Sequence, residues 1–572
     1  MACRDAHRTM DREDQMTRAF QNMLTRLTPE MVATFTEAGF WSDDTIYDCA
    51  RASAARAPAQ IAIRDAGLAL AYGDLVTLAD GFAARLVAAG LRPGDRVAAW
   101  MSSRCELAVL LLACAREGFV LCPSLHRNHT VGEITGLVKR MRASALVTET
   151  GFGADADRLD ITRTAAEVTD LRLTVSLEAP KPRSVADLAA ALGTGEAEPP
   201  GRNGCDIVYL AFTSGTTGEP KGVMHSSNTL LANARAIAGD WNIGPQTVTY
   251  TMGPLSHNLG FGALILTLLA GGELIVHDMP RGKSLLERLE EVGATFLFGV
   301  PAHAMDLLTE LDAAAEAGGT PLAGLQGFRI SGAAAPSWVV ERLSAHGIKA
   351  QSGYGMTEAC SHHYTLPDDP AERITGTSGR ACPGYEVRIF DPADPDRPLA
   401  TGEVGHIGGR GASLMMGYFD DQAATEKAFN KDGWFMTGDL GRMDEHGYLT
   451  LTGRLKEIII RGGHNIHPAR IESLASRHPD VARAAAVGVK DERLGEKVCL
   501  VVMPRDGVAV DPQDVLRHLD ETGLSKYDMP EFFLQVDEIP LSASGKMLKR
   551  ALLPDIEQGK LVPQPIRFKA PA

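Results

Sequence analysis

The sequence predicts an α/β protein of more than one domain, and three observations carry that prediction. Helix-like and strand-like segments alternate from about Trp41 onward, the pattern of mainly parallel sheets. A strand-forming run, Asp206–Phe212, leads into the glycine- and hydroxyl-rich stretch Thr213-Ser-Gly-Thr-Thr-Gly-Glu-Pro-Lys-Gly-Val223 and then into a helix-like segment. Near residue 450 the texture changes to short strands and a separate β/α pattern. At 572 residues the chain can bury more than one core.

In chain order, residues 1–40 read as an N-terminal extension, polar over its first twenty positions. Leu75–Gly90 reads as a helix ended by its glycine, Arg96–Met101 as a strand, Leu107–Arg116 as a helix and Ala145–Thr148 as a strand. Gly193–Gly204, rich in Gly, Pro and Glu, is a surface loop. After the Thr213–Val223 stretch a helix is expected, with Ser226, Ser227 and Asn228 available to cap it and Leu230, Leu231, Ala234 and Ile237 on one face. Strands follow at Thr247–Met252, Glu273–His277, Phe296–Val300 and Phe328–Ser331. Gly447–Gly453 and Glu457–Arg461 are short strands flanking Arg454-Leu-Lys456, so a boundary is expected at 453–456. The segments Arg470–Ser476, Ala484–Val489, Val498–Met503, Val515–Glu521 and Phe532–Val536 then form a small C-terminal domain.

The composition is that of a globular enzyme, 45% hydrophobic and 23% charged. A net charge of −15 argues against a nucleic-acid partner and against a basic membrane-binding surface. The nine cysteines are scattered, with no Cys-x-x-Cys pair, so single buried thiols are expected rather than a zinc site or a disulfide framework. No apolar run reaches the ~18 residues of a membrane span. Leu107–Ala115 and Leu259–Ala270 fit buried helices, no integral membrane segment is expected, and the N-terminus lacks a signal-peptide core. The expected location is the cytoplasm.

The stretch from Thr213 combines four hydroxyl side chains, three glycines and Lys221. A strand, a glycine-rich loop and a helix suit a phosphate, because glycines let backbone N–H groups approach the anion and the lysine adds charge. It is not a Walker A loop, since Gly-Lys-Ser/Thr is missing. Downstream stand Ser331-Gly-Ala-Ala-Ala-Pro336, Ser352-Gly-Tyr-Gly-Met-Thr-Glu358, Trp434-Phe-Met-Thr-Gly-Asp-Leu440, Gly453-Arg-Leu-Lys-Glu457 and Ser544-Gly-Lys546.

In this order and spacing the motifs resemble the adenylate-forming superfamily of acyl-CoA synthetases, peptide-synthetase adenylation domains and beetle luciferases, over roughly Trp41 to Arg550. The resemblance implies a large N-terminal domain of stacked α/β subdomains plus a β-subdomain (41–452), a hinge (453–456) and a small mobile α+β lid domain (457–572). It implies a carboxylate that attacks the α-phosphorus of ATP, followed by a thiol, usually coenzyme A, that displaces AMP. Thr213, Ser214, Gly215, Thr216, Thr217 and Lys221 would hold the β- and γ-phosphates. Tyr354 would stack on adenine over a floor of Gly332, Ala333 and Ala334, with Gly355 beside it. Thr357 would bond the α-phosphate, and Glu358 with Thr217 would hold Mg²⁺. Asp439 and Arg454 would hold the ribose, and Lys546 would bridge the attacking carboxylate and the α-phosphate. Lys456 aligns with the hinge residue about which the lid would rotate, bringing Arg461, Gly463 and His464 to the thiol. Read singly, Glu358, Asp439 and Lys546 could each be an ordinary solvated charge, and Tyr354 a core aromatic.

The segment Pro254-Leu-Ser-His-Asn-Leu-Gly-Phe-Gly262 lacks the acidic residue that amino-acid-activating relatives use for the substrate ammonium, so an amino acid is not expected. His257 aligns with the residue that gates the carboxylate pocket in acyl- and aryl-CoA ligases; its alternative is a structural histidine. With no carrier-protein module after the C-terminal domain, free CoA is the expected acceptor. Leu121–Thr130 and Met356–Asp369 are similar to cyclohexanecarboxylate-CoA ligases, which implies an alicyclic ring acid and pocket walls from His257, Phe261, Gly262, Val300, Ser331, Gly355, Met356 and Cys360. Benzoate, another aryl acid or a medium-chain fatty acid also fits, as does an acyl-AMP ligase serving a carrier protein or a non-catalytic nucleotide-binding protein. Arg470 stands where relatives often have Glu, while Glu472 is kept. Pro540–Lys546 resembles sites where a lysine acetyltransferase silences such enzymes and a deacetylase restores them.

Overall fold

The computed structural model describes residues 23–179, 182–195, 203–213, 220–279, 282–319, 322–332, 335–461, 464–505, 508–541 and 547–568. It comprises two compact units, Met1–Glu386 with Arg410–Ala428, and Val387–Gly409 with Phe429–Ala572.

The first unit contains two large sheets. One has six strands in the order Leu173–Leu177, Ala143–Glu149, Arg96–Trp100, Val120–Cys122, Ile207–Thr213, Lys221–Ser226. The other has nine, in the order Arg380–Ala381, Cys360–Tyr364, Lys349–Met356, Gly327–Ile330, Phe296–Gly299, Val248–Thr251, Glu273–Val276, Ile61–Asp65, Leu68–Ala71. Their central strands pair in parallel; both edges of the nine-stranded sheet and the Lys221–Ser226 edge of the six-stranded sheet are antiparallel, while Leu173–Leu177 is a parallel edge, the mixed pattern of an α/β sheet covered on both faces. Ala143–Glu149 and Arg96–Trp100 are buried at every residue, including the polar Ser144, Thr148, Glu149 and Arg96. The helix Glu106–Glu117 is also buried at every position, as expected of its apolar core. Its two buried acids demand partners. Glu106 pairs with Arg104 and Arg183, and Arg183 also holds Asp65.

The predicted elements are present, with ends differing by one to three residues. One prediction needs correction. The sequence implied a strand, a loop and then a helix N-terminus around the phosphate stretch. Instead, Lys221–Ser226 is a strand, antiparallel to Ile207–Thr213 with Thr213 opposite Lys221. Its apolar Val223 and Met224 are fully buried, so packing draws the segment into the sheet before the helix Ser227–Asp240 begins. Ser226 caps that helix by accepting from the Thr229 N–H. Residues 214–219 lie outside the described residues; the strands on either side of them pair antiparallel, and the helix begins only after the second strand.

In the second unit, Tyr385–Phe390, Gly405–Gly411, Phe435–Met443 and Leu449–Arg454 form a four-stranded sheet. After the 3₁₀ turn Leu455–Glu457, a six-stranded sheet is built on the long hairpin Val481–Asp491/Gly495–Pro504, with the helices Pro468–Ala475 and Pro512–Glu521. This is the α+β pattern read from the sequence.

Among the described residues no helix is long and apolar enough to cross a membrane. The eight described cysteines are free, seven buried and Cys49 half-buried.

Candidate active site

The hairpin, its neighbouring helix and the 354–361 turn converge in the first unit. Lys221 sits at the base of the hairpin with its Nζ 4.6 Å from the centre of the Tyr418 ring, a cation–π contact. The Tyr418 hydroxyl donates to Glu358 Oε1 at 3.0 Å. Burial and the Glu358 charge push the phenol pKa up, which keeps it a donor. The main chain here is fixed from two sides. Met415 N–H donates to the Glu358 carbonyl at 2.7 Å, and His225 Nε2 donates to the Thr357 carbonyl at 2.7 Å. A carbonyl only accepts, so Nε2 carries the hydrogen. Burial lowers the His225 pKa to about 4, so the ring is neutral and Nδ1 accepts from Thr229 Oγ1 at 3.0 Å. Thr213, Lys221, Thr357 and Glu358 are thus brought together; Ser214, Gly215, Thr216 and Thr217 lie outside the described residues.

Among the described residues there is no cluster of three or more His, Cys, Asp or Glu side chains that could hold a metal ion. A magnesium ion bound mostly by phosphate and water needs only one or two protein carboxylates, and Glu358 fits that donor set.

Next to this turn, parallel strands of the nine-stranded sheet end at Gly299, Ile330 and Met356, the edge where open α/β sheets bind ligands. Gly332 there has φ +92°, a conformation that favours glycine. Ala333 and Ala334 lie outside the described residues. Tyr354 is buried at 7% exposure, its ring meeting His362 edge-on at 4.8 Å. A Cβ at Gly355 would lie 2.1 Å from the Cys360 carbonyl, so glycine is required for the turn to close. His362 and His363 share an Nδ1···Nδ1 bond of 2.8 Å, which requires one ring to donate and one to accept. Burial lowers both pKa values, that of His363 to about 3.

These buried imidazoles predict a pH dependence of stability. His225 and His363 titrate near 4 and 3 when folded, against 6.5 otherwise. The unfolded chain takes up those protons first, so stability is complete above pH 6.5 and falls as pH drops towards 4. Denaturant unfolding at pH 7 and pH 4.5 should differ by about 2–3 kcal/mol for each histidine. Equal stability at the two values would mean that the folded protein protonates these rings.

A narrow pocket, partly open to solvent, lies between the helices Ser227–Asp240 and Asn258–Ala270. The first helix contributes Leu230, Asn233, Ala234 and Ile237. The second contributes Asn258, Leu259, Phe261, Gly262 and Ile265, and Phe298, Cys360 and Ser361 complete the lining. Phe261, Gly262 and Cys360 were expected walls; His257, Val300, Ser331, Gly355 and Met356 are not among its lining. His257 is instead the N-cap of the second helix, its Nδ1 accepting from the Leu259 N–H at 3.3 Å. His126, from the Leu121–Thr130 string, bonds the neighbouring Ser256 at 3.0 Å.

In the second unit, Asp439 and Arg454 face one another across paired strands, Oδ1 to Nε 3.0 Å. The approach to Asp439 is held by His406, whose Nε2 accepts from Gly438 N–H at 2.8 Å, and by Thr437, which donates to the Ile407 carbonyl at 2.9 Å. Lys456 lies in the 3₁₀ turn Leu455–Glu457. Arg461 pairs with Glu531 and with the Tyr527 carbonyl, and His464 with Asp528 at 2.8 Å. Arg470 donates to the Gly523 carbonyl at 2.8 Å. Glu472 is buried, accepting from Ala486 N–H at 2.7 Å and facing Lys549 at 2.8 Å. Lys549 also reaches Glu457 at 2.9 Å. Burial opposes the Lys549 charge, but the two carboxylates outweigh it and raise its pKa. Gly463 and Lys546 lie outside the described residues.

The motifs did not single out Tyr418, His225, His406 or the pocket face of Ser227–Asp240. The apolar periodicity that places Leu230, Ala234 and Ile237 on one helix face is the available signal, and it does not by itself point to a pocket.

Residues 50–419 match the AMP-binding enzyme family and residues 470–546 the AMP-binding enzyme C-terminal domain. The chain is 32% identical to a medium-chain fatty-acid–CoA ligase of Escherichia coli (strain K12), over 92% of each chain. It is 32% identical to a feruloyl-CoA synthase of an Amycolatopsis species, over 86% of this chain and 95% of that one. Among solved structures it resembles ATP-bound MatB from Rhodopseudomonas palustris, with a TM-score of 0.78, 31% identity, and coverage of 87% of this chain and 96% of that one.

Proposed function

The chain belongs to the AMP-binding enzyme family and is an AMP-forming acid–thiol ligase; from that premise we propose that its acid is a compact ring acid such as cyclohexanecarboxylate, taken up by the pocket between Ser227–Asp240 and Asn258–Ala270. The observation that carries this reading is the lining, which holds no charged side chain. A second carboxylate or an ammonium on the substrate would be buried there without a counter-charge, at a cost of several kcal/mol. Benzoate and medium-chain acids meet the same requirement, and a methylene more or less in such a pocket is worth only about 1–3 kcal/mol.

In the first half-reaction the carboxylate oxygen attacks the α-phosphorus of ATP, and the bond to pyrophosphate breaks. In the second, the CoA sulfur attacks the acyl carbon, the bond to AMP breaks and the thiol proton goes to solvent. Lys221 and the hairpin loop, with Ser214, Gly215, Thr216 and Thr217, neutralise the β- and γ-phosphates. Thr357 bonds the α-phosphate. Glu358 with Thr217 holds Mg²⁺, which supplies further charge neutralisation. Tyr354, Gly332, Ala333, Ala334 and Gly355 enclose adenine, Asp439 and Arg454 hold the ribose, and Lys546 stabilises charge on the α-phosphate as it develops. His257 orients the second helix at the carboxylate end of the pocket, and Arg461 and Gly463 serve CoA after a lid movement about 453–456. The enzyme works in the cytoplasm.

A Cβ at Gly262 would meet no atom within 4 Å, so this wall accepts a larger residue without straining the fold. Gly262→Leu should raise KM for cyclohexanecarboxylate and benzoate about 10–50-fold, as a few kcal/mol of lost burial requires, and leave KM for ATP unchanged. Acid-dependent pyrophosphate release measures both. An unaltered acid KM would rule the pocket out as the acid site.

A further inference from the structure

Asn233 and Ser361 both line the pocket, and one binds the main chain of the other. Asn233 is 7% exposed and turns its amide onto the main chain of Ser361. Its Nδ2 donates to the Ser361 carbonyl at 3.0 Å, and its Oδ1 accepts from the Ser361 N–H at 3.2 Å. Both polar groups of a pocket-lining residue are thereby used up. The clamped segment is also unusual, because Cys360 beside it holds φ +55°, a left-handed conformation uncommon for a non-glycine residue. The remaining amide contact of Asn233 is with Cys382 Sγ at 3.8 Å.

We propose that Asn233 is a specificity-determining residue: by engaging the N–H and C=O of Ser361 it withholds that main chain from a polar substituent in the pocket, and so favours unsubstituted ring acids over their hydroxylated counterparts. The inference rests on reading this pocket as the acid site. A hydroxyl carried to this wall by the substrate loses water and gains no bond from the Ser361 main chain, which disfavours its burial. With Asn233 shortened, the Ser361 N–H and C=O turn towards the vacated space and can meet that hydroxyl.

The test compares kcat/KM for benzoate with that for 4-hydroxybenzoate, and for cyclohexanecarboxylate with that for 4-hydroxycyclohexanecarboxylate. The wild-type enzyme, Asn233→Ala and Gly262→Leu are measured. Asn233→Ser, whose shorter side chain also releases the Ser361 main chain, serves where the alanine variant does not fold. The preference for the unsubstituted acid should fall at least 10-fold in Asn233→Ala, and also in Asn233→Ser. A preference that stays constant while both activities drop together would overturn the proposal and leave Asn233 a structural residue. That result, with Gly262→Leu still raising KM for every acid, keeps the pocket assignment. An acid KM indifferent to Gly262→Leu removes the pocket assignment and the proposal with it.

Discussion

Glu358→Gln is expected to slow acyl-adenylate formation about 10³-fold while leaving the fold intact. The carboxylate is held as few surface acids are. Tyr418 donates to its Oε1, Met415 N–H binds its own carbonyl, and His225 binds the carbonyl of the preceding Thr357. Glutamine has the same shape and keeps an oxygen for Tyr418 to donate to, so the local geometry survives. What disappears is the negative charge, and with it the carboxylate proposed to hold Mg²⁺ against the phosphates. Losing one preorganised electrostatic partner of a charge-developing transition state costs about 10²–10³ in rate; the shared role with the metal places Glu358 at the upper end. Pyrophosphate release on mixing acid, ATP and enzyme gives the rate, and thermal unfolding gives the control. A variant of unchanged Tm that keeps more than a tenth of the wild-type rate would return Glu358 to the class of structural carboxylates. A fall in Tm of many degrees would show that the ion-like contact with Tyr418, not the metal, was what glutamine failed to replace.

The contrast between Glu358 and its surroundings shows what the sequence could convey. Motifs name residues whose chemistry is wanted at one point, and these appear as fixed strings: Thr357-Glu358, Gly438-Asp439, Gly453-Arg454. The structure joins Asp439 of one string to Arg454 of another through a cross-strand register that no string states. The residues that hold such groups in place come from distant elements and carry no spacing signal. Tyr418 reaches Glu358 across 60 positions and His225 reaches Thr357 across 132. Asn233 meets Ser361 across 128. The alternation of helices and strands was legible because burial on a sheet imposes a period on each segment by itself. The strand Lys221–Ser226 was not, because its six residues carry two glycine- or hydroxyl-type positions and gain their strand character only from pairing with Ile207–Thr213. His257 shows the reverse case: the string identifies the position, and the structure adds that its Nδ1 caps a helix.

Lys456→Pro is expected to reduce thioester formation at least 100-fold while acyl-adenylate forms within a few-fold of the wild-type rate. Lys456 occupies the 3₁₀ turn Leu455–Glu457, where φ lies between about −50° and −70°. Proline locks φ near −65°, so the substitution is compatible with the conformation seen and opposes any other at this residue. The turn is also tied on its far side, because Glu457 is bonded to Lys549 and Lys549 to the buried Glu472. The proposed lid rotation would accordingly be absorbed in the backbone before Glu457, where Lys456 stands. The Arg461 guanidinium, proposed to serve CoA, is engaged with Glu531, so the second half-reaction asks more of this segment than the first. Single-turnover measurements separate the halves: pyrophosphate release reports adenylation, and AMP release on adding CoA reports thioesterification. Equal loss in both would mean that proline damaged the turn itself, and no loss in either would place the pivot elsewhere along 453–456.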